Sequence, residues 1–175
     1  MCDDDDIDQV GVARGQFSSH MLNKWRGRRY VMIDPWYAYE GQGTPQCIDD
    51  ESVDQSQKDE KFRRAIEVTK PHGNKATLMR AMSVKAAKVF MNETIDFIYI
   101  DALHDYRSSM DDIHAWWPKL RRGGILAGHD YKHFFGCYFA IQEFARKMNI
   151  EFFVTSGECG DNREMDSPSW YLLKP

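Results

Sequence analysis

The 175-residue sequence lacks the features that mark several broad classes of protein. No apolar run approaches the ~20 residues that a membrane span needs, and the acidic start, MCDDDDID, is unlike a signal peptide. The 4 cysteines have no CxxC spacing, which argues against a zinc or disulfide framework. The 27 acidic residues outnumber the 23 basic ones, which disfavours nonspecific binding to nucleic acid. These absences predict a cytoplasmic protein that binds neither membranes nor nucleic acid.

Repeats and low-complexity linkers are also missing, whereas apolar residues are plentiful. Hydrophobic residues make up 42% of the chain and aromatic residues 13%, which is enough for a sizeable core. We therefore expect residues 1–175 to form a single domain. The polar segment 38–56, with two glycines and a proline, is predicted to be a loop or lid over a ligand.

The segment 95–131 is the most informative part of the chain and is typical of a strand, a helix and a second strand. The short apolar run FIYI ends at Asp101, and ILAG leads into His129 and Asp130. The carboxyl ends of parallel strands meet at the edge of a sheet where ligands bind. The spacing of the apolar residues between the strands predicts a helix that continues through Leu120 and is stopped by the glycine pair 123–124.

A glycine-bearing turn follows the first predicted strand. It has the pattern G-x-x-x-G, from Gly11 to Gly15, and Ser18 or Ser19 is predicted to cap the helix after it. Asp34 ends the second strand, about 20 residues further on, where a carboxylate is placed to bind ribose hydroxyls. The dinucleotide fingerprint G-x-G-x-x-G is absent, which makes a nicotinamide dehydrogenase a weak alternative.

Strands and helices alternate through most of the chain, and the last two strands, 151–154 and 170–173, are predicted to pair as an antiparallel hairpin. The expected fold is α/β, doubly wound, with a mostly parallel sheet of seven strands. Five blocks in this order resemble class I S-adenosylmethionine-dependent methyltransferases: QVGVARGQFSSHML, YVMIDPW, RAMSVKAA, DFIYIDALHDY and WWPKLRRGGILAGHDY. The resemblance is strongest to a small-molecule or sugar O-methyltransferase-like group and implies a Rossmann-like fold.

The resemblance also implies positions for the cofactor, S-adenosylmethionine. The turn would wrap the methionine part, and Asp34 would bind the ribose. Met82 and Ser83 would lie beside the adenine. Asp101 and Ala102 would lie near the sulfonium. The implied cofactor residues are Gly11, Ala13, Arg14, Gly15, Asp34, Met82, Ser83, Asp101 and Ala102.

Two carboxylates and two histidines at the strand ends suggest how an acceptor hydroxyl is activated. Asp101 and Asp130 end neighbouring strands and are candidate ligands of Mg²⁺ or another divalent cation. His129 and His104 are the candidate bases that remove the acceptor proton. The predicted reaction is O-methylation of a small molecule such as a sugar or a phenol. A residue pair after the fifth strand, Phe134–Phe135, is a candidate acceptor wall.

Two departures from the family keep alternatives open. The family carries an acidic residue where this chain has Gln9, and many relatives have helices before the first strand that cover the acceptor. A partner subunit in a homo-oligomer, the segment 38–56, or sequence beyond this chain would then supply the cover. The alternatives are a metal-independent N- or C-methyltransferase and a degenerate, non-enzymatic cofactor-binding domain.

Overall fold

The computed structural model describes residues 5–38, 54–131, 135–155 and 168–175. The strands are β1 (Asp6–Val10), β2 (Arg29–Asp34), β3 (Ala76–Arg80), β4 (Ile95–Ile100), β5 (Leu120–Gly128), β6 (Phe152–Val154) and β7 (Trp170–Leu173). The helices are α1 (Gln16–Lys24), α2 (Gln55–Thr69), α3 (Ser83–Ala87), α4 (Tyr106–Trp116) and α5 (Phe135–Met148), with a 3₁₀ helix at Lys70–Lys75. Most of the predicted lid, and the loop between β6 and β7, lie outside the described residues.

The strands form one seven-stranded sheet in the order β3-β2-β1-β4-β5-β7-β6. Strands β1 to β5 pair in parallel, whereas β7 runs antiparallel to both β5 and β6. The predicted doubly wound sheet with its antiparallel C-terminal pair is therefore confirmed. Because the strand order reverses between β1 and β4, the carboxyl ends of these two strands open a crevice, which is where such sheets bind ligands.

Helices cover both faces of the sheet, so alternate residues of each central strand enter different cores. In β2, Val31 and Ile33 pack with residues of α3, α4 and α5. Tyr30 and Met32 face the opposite way and pack with residues of α1 and α2. This pattern is typical of parallel strands buried on both faces. None of the described helices is both long and apolar enough to cross a membrane.

The predicted end of helix α4 is wrong. The helix ends at Trp116, and Leu120 is the first residue of β5. Pro118, which has no N–H to donate, ends the helix. The glycine pair lies within β5, where the register against β4 shifts between Leu120 and Ile125. Gly123 has a φ of 73°, so the glycines form a bulge in the strand and do not stop a helix.

The central strand contains a buried carboxyl group, Asp8, that the fold does not satisfy. Its side chain has no exposed surface, and neither carboxylate oxygen has a hydrogen-bond partner among the described residues. Burial raises the pKa of Asp8 to about 8, despite the lowering effect of Arg29. The native state therefore binds one more proton than the unfolded state between about pH 4 and pH 8. Stability falls as the pH rises through this window.

Replacing Asp8 should therefore stabilise the protein and remove part of its pH dependence. We expect Asp8→Val to raise the free energy of unfolding at pH 8 by about 3 kcal/mol, because it removes a buried ionisable group. Urea denaturation at pH 5 and pH 8 measures both effects, and Asp8→Asn tests the loss of charge with a polar group retained. Parallel pH profiles for the wild type and both variants would contradict this interpretation.

Candidate active site

The turn after β1 lies directly against the end of β4. Gly11 has a φ of 83°, and a Cβ atom at this position would lie 1.7 Å from the carbonyl oxygen of Asp101. The amide of Asp101 donates to the Val10 carbonyl at 2.7 Å. A side chain at position 11 would therefore force the two strand ends apart. Gly15 also has a positive φ, 80°, and it caps helix α1 in place of the predicted serine.

The carboxylate of Asp34 fixes the same turn from the side of β2. Its Oδ2 atom accepts hydrogen bonds from the Val12 and Ala13 amides, both at 3.0 Å. Its Oδ1 atom accepts from the Trp36 amide at 2.7 Å. Since each carboxylate oxygen accepts more than one hydrogen bond, these contacts leave acceptor capacity for a ligand. Asp34 thus shapes the turn as well as lining the cavity beside it.

Gln9 occupies the position where the family carries an acidic residue, and its side chain stabilises the glycine turn. Its side-chain amide donates to the Gly11 carbonyl at 2.8 Å. Its carbonyl oxygen accepts from the hydroxyls of Ser18 and Tyr30, both at 2.7 Å. A carboxylate has no hydrogen to donate to Gly11, so glutamine suits this network better than an acid. Ser18, predicted as a cap, is instead buried within helix α1.

A cavity of about 380 Å³ opens where β1, β2 and β4 end. Seven of the nine predicted cofactor residues line it, namely Gly11, Ala13, Asp34, Met82, Ser83, Asp101 and Ala102. Arg14 and Gly15 do not line it: Arg14 is exposed, and Gly15 packs close to Ala65 of helix α2. Trp36 and Asp112 also line the cavity, although neither was predicted to.

The predicted catalytic histidines and metal ligands lie together at the ends of β4 and β5. The Nε2 atom of His104 is 3.1 Å from Asp130 Oδ2 and 3.5 Å from Asp101 Oδ1. The Nδ1 atom of His129 is 3.4 Å from Asp130 Oδ1. Asp130 has a φ of 58°, a backbone conformation that residues other than glycine rarely adopt and that is often found at functional sites.

The two carboxylates alter the proton affinity of His104. Burial has the largest effect and lowers its pKa, but hydrogen bonds and charge from Asp101 and Asp130 outweigh it and raise the pKa to about 9. Burial acts to raise the pKa of Asp130, but His104 and His129 hold it well below its usual range. At neutral pH, His104 is therefore protonated and Asp130 ionised.

One donor atom from each of Asp101, His104 and Asp130 lies within 4.8 Å of the others, so this cluster can hold a metal ion. The sequence paired the two acids as ligands, whereas His104 was expected to act as a base. The remaining candidate, the Phe134–Phe135 wall, is only partly described: Phe134 lies outside the described residues, and Phe135 is exposed at the start of α5.

Comparison with known proteins identifies the class of this site. The profile of a methyltransferase-domain family matches residues 9–131, more than half of the chain. The chain therefore belongs to this family and is a class I S-adenosylmethionine-dependent methyltransferase, an enzyme that transfers a methyl group from S-adenosylmethionine. Comparison with curated proteins finds no match.

Solved structures share the fold at low sequence identity. An O-methyltransferase from Bacillus cereus in complex with SAH, S-adenosylhomocysteine, has a TM-score of 0.66 at 13% identity, covering 97% of this chain and 74% of that one. A cofactor-bound protein of MTB has a TM-score of 0.67 at 11% identity, with 97% and 72% covered. An rRNA methylase from Streptococcus thermophilus has a TM-score of 0.64 at 11% identity, with 98% and 87% covered. These neighbours leave the acceptor open.

The contact between the turn and β4 makes a prediction about glycine. Gly11→Ala should abolish binding of S-adenosylhomocysteine and destabilise the protein strongly, because the new methyl group meets a backbone carbonyl. Gly73→Ala is the matched control, since Gly73 also has a positive φ, 55°, but a Cβ atom there would meet nothing within 4 Å. That variant should lose only about 1–3 kcal/mol of stability. Calorimetric titration and thermal denaturation of both variants test this, and equal losses would contradict it.

Proposed function

We propose that this enzyme methylates a hydroxyl oxygen of a small molecule with the help of a divalent metal ion. The observation that carries the proposal is the position of Asp101, which lines the cofactor cavity and also belongs to the cluster with His104 and Asp130. A candidate metal ligand therefore lies at the boundary between the proposed cofactor site and the ligand edge of the sheet. The O-methyltransferase from Bacillus cereus is a structural neighbour consistent with this chemistry.

The proposed cofactor pose follows the cavity. The methionine part of S-adenosylmethionine lies against the turn from Gly11 to Gly15, and the ribose hydroxyls donate to Asp34. The adenine lies beside Met82 and Ser83, and the sulfonium is directed toward Asp101 and Ala102. The hydrogen bond from Gln9 to the turn argues against a degenerate, non-enzymatic cofactor-binding domain. Glutamine replaces the acid of the family at this position, but it still stabilises the turn.

The donor set refines the choice of metal. Two carboxylates alone suit Mg²⁺, which prefers oxygen ligands, but the imidazole of His104 makes Mn²⁺ a better match. When bound, such an ion polarises the acceptor oxygen and lowers the pKa of its hydroxyl group. The protein would hold it through Asp101, His104 and Asp130, with the acceptor completing the coordination.

His129 is the better of the two candidate bases. His104 carries a proton at neutral pH and would release it to solvent on binding a metal ion, so in neither state would its Nε2 atom be free to take the acceptor proton. His129 contacts Asp130 through Nδ1, and Asp130 can orient the ring toward the ligand edge. The acceptor oxygen then needs only in-line alignment with the methyl group.

A metal-independent N- or C-methyltransferase remains the second candidate, and one feature of the cluster favours it. Protonated His104 already lies between two carboxylates and partly neutralises them, so the cluster is electrostatically stable without a cation. Methyl transfer that proceeds equally well in chelator would favour this function, and a nitrogen or carbon acceptor would establish it. We also propose that residues 1–175 act as one domain, because the strands of the segment that matches the family and the two C-terminal strands belong to one sheet.

The proposed base gives a prediction about turnover. His129→Gln should slow methyl transfer about 10²–10⁴-fold and leave binding of S-adenosylhomocysteine unchanged, because the imidazole contributes only to proton removal. The rate is measured with Mn²⁺ and the best acceptor from a panel of phenols and sugars. His20→Gln is the control, since His20 is exposed on helix α1. An unchanged rate for His129→Gln would exclude the base role.

The proposed metal site gives a prediction about pH. A metal ion and a proton compete for Nε2 of His104, so the affinity for Mn²⁺ should rise about tenfold per pH unit up to the histidine pKa of about 9. Calorimetric titration with Mn²⁺ at pH 7 and pH 8.5 measures this slope. His104→Gln should bind more weakly and with little pH dependence. A wild-type affinity that is flat with pH would show that His104 is not a ligand.

A further inference from the structure

A second buried acid, Asp112 of helix α4, lines the same cavity as Asp101 but is not part of the cluster with His104 and Asp130. Only 4% of this residue is exposed, yet it contributes to the cavity lining together with Met82, Ser83 and Val84. Carboxylates are rarely buried to this extent without a partner. The arrangement of its two oxygens indicates what that partner is.

One oxygen of Asp112 is used within the protein. Its Oδ1 atom accepts a hydrogen bond from the hydroxyl of Ser83, and that hydroxyl accepts one from Nε1 of Trp116 at 2.9 Å. These bonds join α3 to α4 and fix the orientation of the carboxylate. The other oxygen, Oδ2, has no hydrogen-bond partner in the described ranges of the chain, although the residue faces the cavity. This oxygen is not among the fully buried polar atoms that lack a partner, so it has surface open to the cavity, where a donor from a ligand can reach it.

The surroundings of Asp112 fit a flat, mostly apolar group that carries a hydrogen-bond donor. Met82 and Val84 are both partly exposed and offer apolar surface beside the carboxylate. Adenine has this character: its ring is flat, and its exocyclic amino group is a neutral donor. A cationic donor is not required, because a carboxylate accepts from a neutral N–H with charge assistance.

We propose that Oδ2 of Asp112 accepts a hydrogen bond from the exocyclic amino group of the cofactor's adenine, so that Asp112 selects an aminopurine. The proposal rests on the proposed cofactor pose, in which the adenine lies beside Ser83. It is independent of the acceptor and of the metal ion. Asp112 would then have two roles, since the same carboxylate also holds Ser83 at the cavity wall.

The test compares two ligands that differ only in the donor. They are S-adenosylhomocysteine and its 6-deamino analogue, in which a hydrogen replaces the exocyclic amino group. Burial raises the pKa of Asp112 to about 6, so titrations at pH 8 keep the carboxylate ionised. The wild type should bind S-adenosylhomocysteine roughly 10- to 100-fold more tightly than the analogue.

Three variants then separate recognition from structure. Asp112→Leu should reduce this preference to less than about threefold, and Asp112→Asn should give an intermediate preference, because its amide oxygen accepts without a charge. Asp111→Asn is the matched control, since Asp111 is the exposed neighbour that also lines the cavity, and it should retain the full preference. If Asp112 had a purely structural role, Asp112→Leu would bind both ligands more weakly by the same factor, and the ratio of their affinities would not change.

Each result decides the question. A wild-type preference near one, or an unchanged preference in folded Asp112→Leu, would overturn the proposal even if the leucine variant were less stable. If the leucine variant does not fold, the wild-type ratio and the asparagine variant still test it. Failure of the wild type to bind either ligand would contradict the cofactor assignment itself, and the proposal with it. Tight S-adenosylhomocysteine binding without methylation of any hydroxyl would count only against the proposed acceptor chemistry.

Discussion

The close approach of the β1 turn to the end of β4 is the constraint on which the rest of the site depends. Gly11 lies so near the Asp101 carbonyl that no side chain fits between them. This contact places Asp101 beside the glycine turn, and Asp101 then brings the proposed metal ligands His104 and Asp130 to the edge of the cavity. Asp34 and Gln9 hold the turn from two sides through hydrogen bonds to its backbone. The ends of several strands are thereby fixed in one small region.

The cavity combines fixed acceptors with a separate charged cluster, and this division suits the chemistry of the class. The ribose hydroxyls and the adenine amino group of the cofactor can donate hydrogen bonds, and the cavity offers the carboxylates of Asp34 and Asp112 as acceptors. At the ligand edge, His104, Asp101 and Asp130 form a compact group whose charges partly compensate. An acceptor that approaches this edge meets preorganised dipoles and charges, and catalysis by such groups needs little rearrangement.

Much of this arrangement is visible in the sequence, because strand ends and glycine turns are local features. The runs before Asp34, Asp101 and Asp130 predict three strands, and parallel pairing then brings their ends to one edge. The end of α4 is misread because Leu120 continues the helical spacing, although Pro118 is a signal to stop. The roles of Gln9 and Asp112 are not predictable in this way. Each depends on a partner from another element, Tyr30 for Gln9 and Ser83 for Asp112, and no local pattern records such contacts.

The most direct test of this account is a crystal structure of the protein with S-adenosylhomocysteine and Mn²⁺. We predict the ribose hydroxyls within hydrogen-bond distance of Asp34, while the Val12 and Ala13 amides still donate to the same carboxylate. The metal ion should lie between Asp101, His104 and Asp130, next to the sulfur end of the ligand. A nucleoside bound elsewhere, or a turn that separates from Asp101 when the ligand binds, would contradict the account.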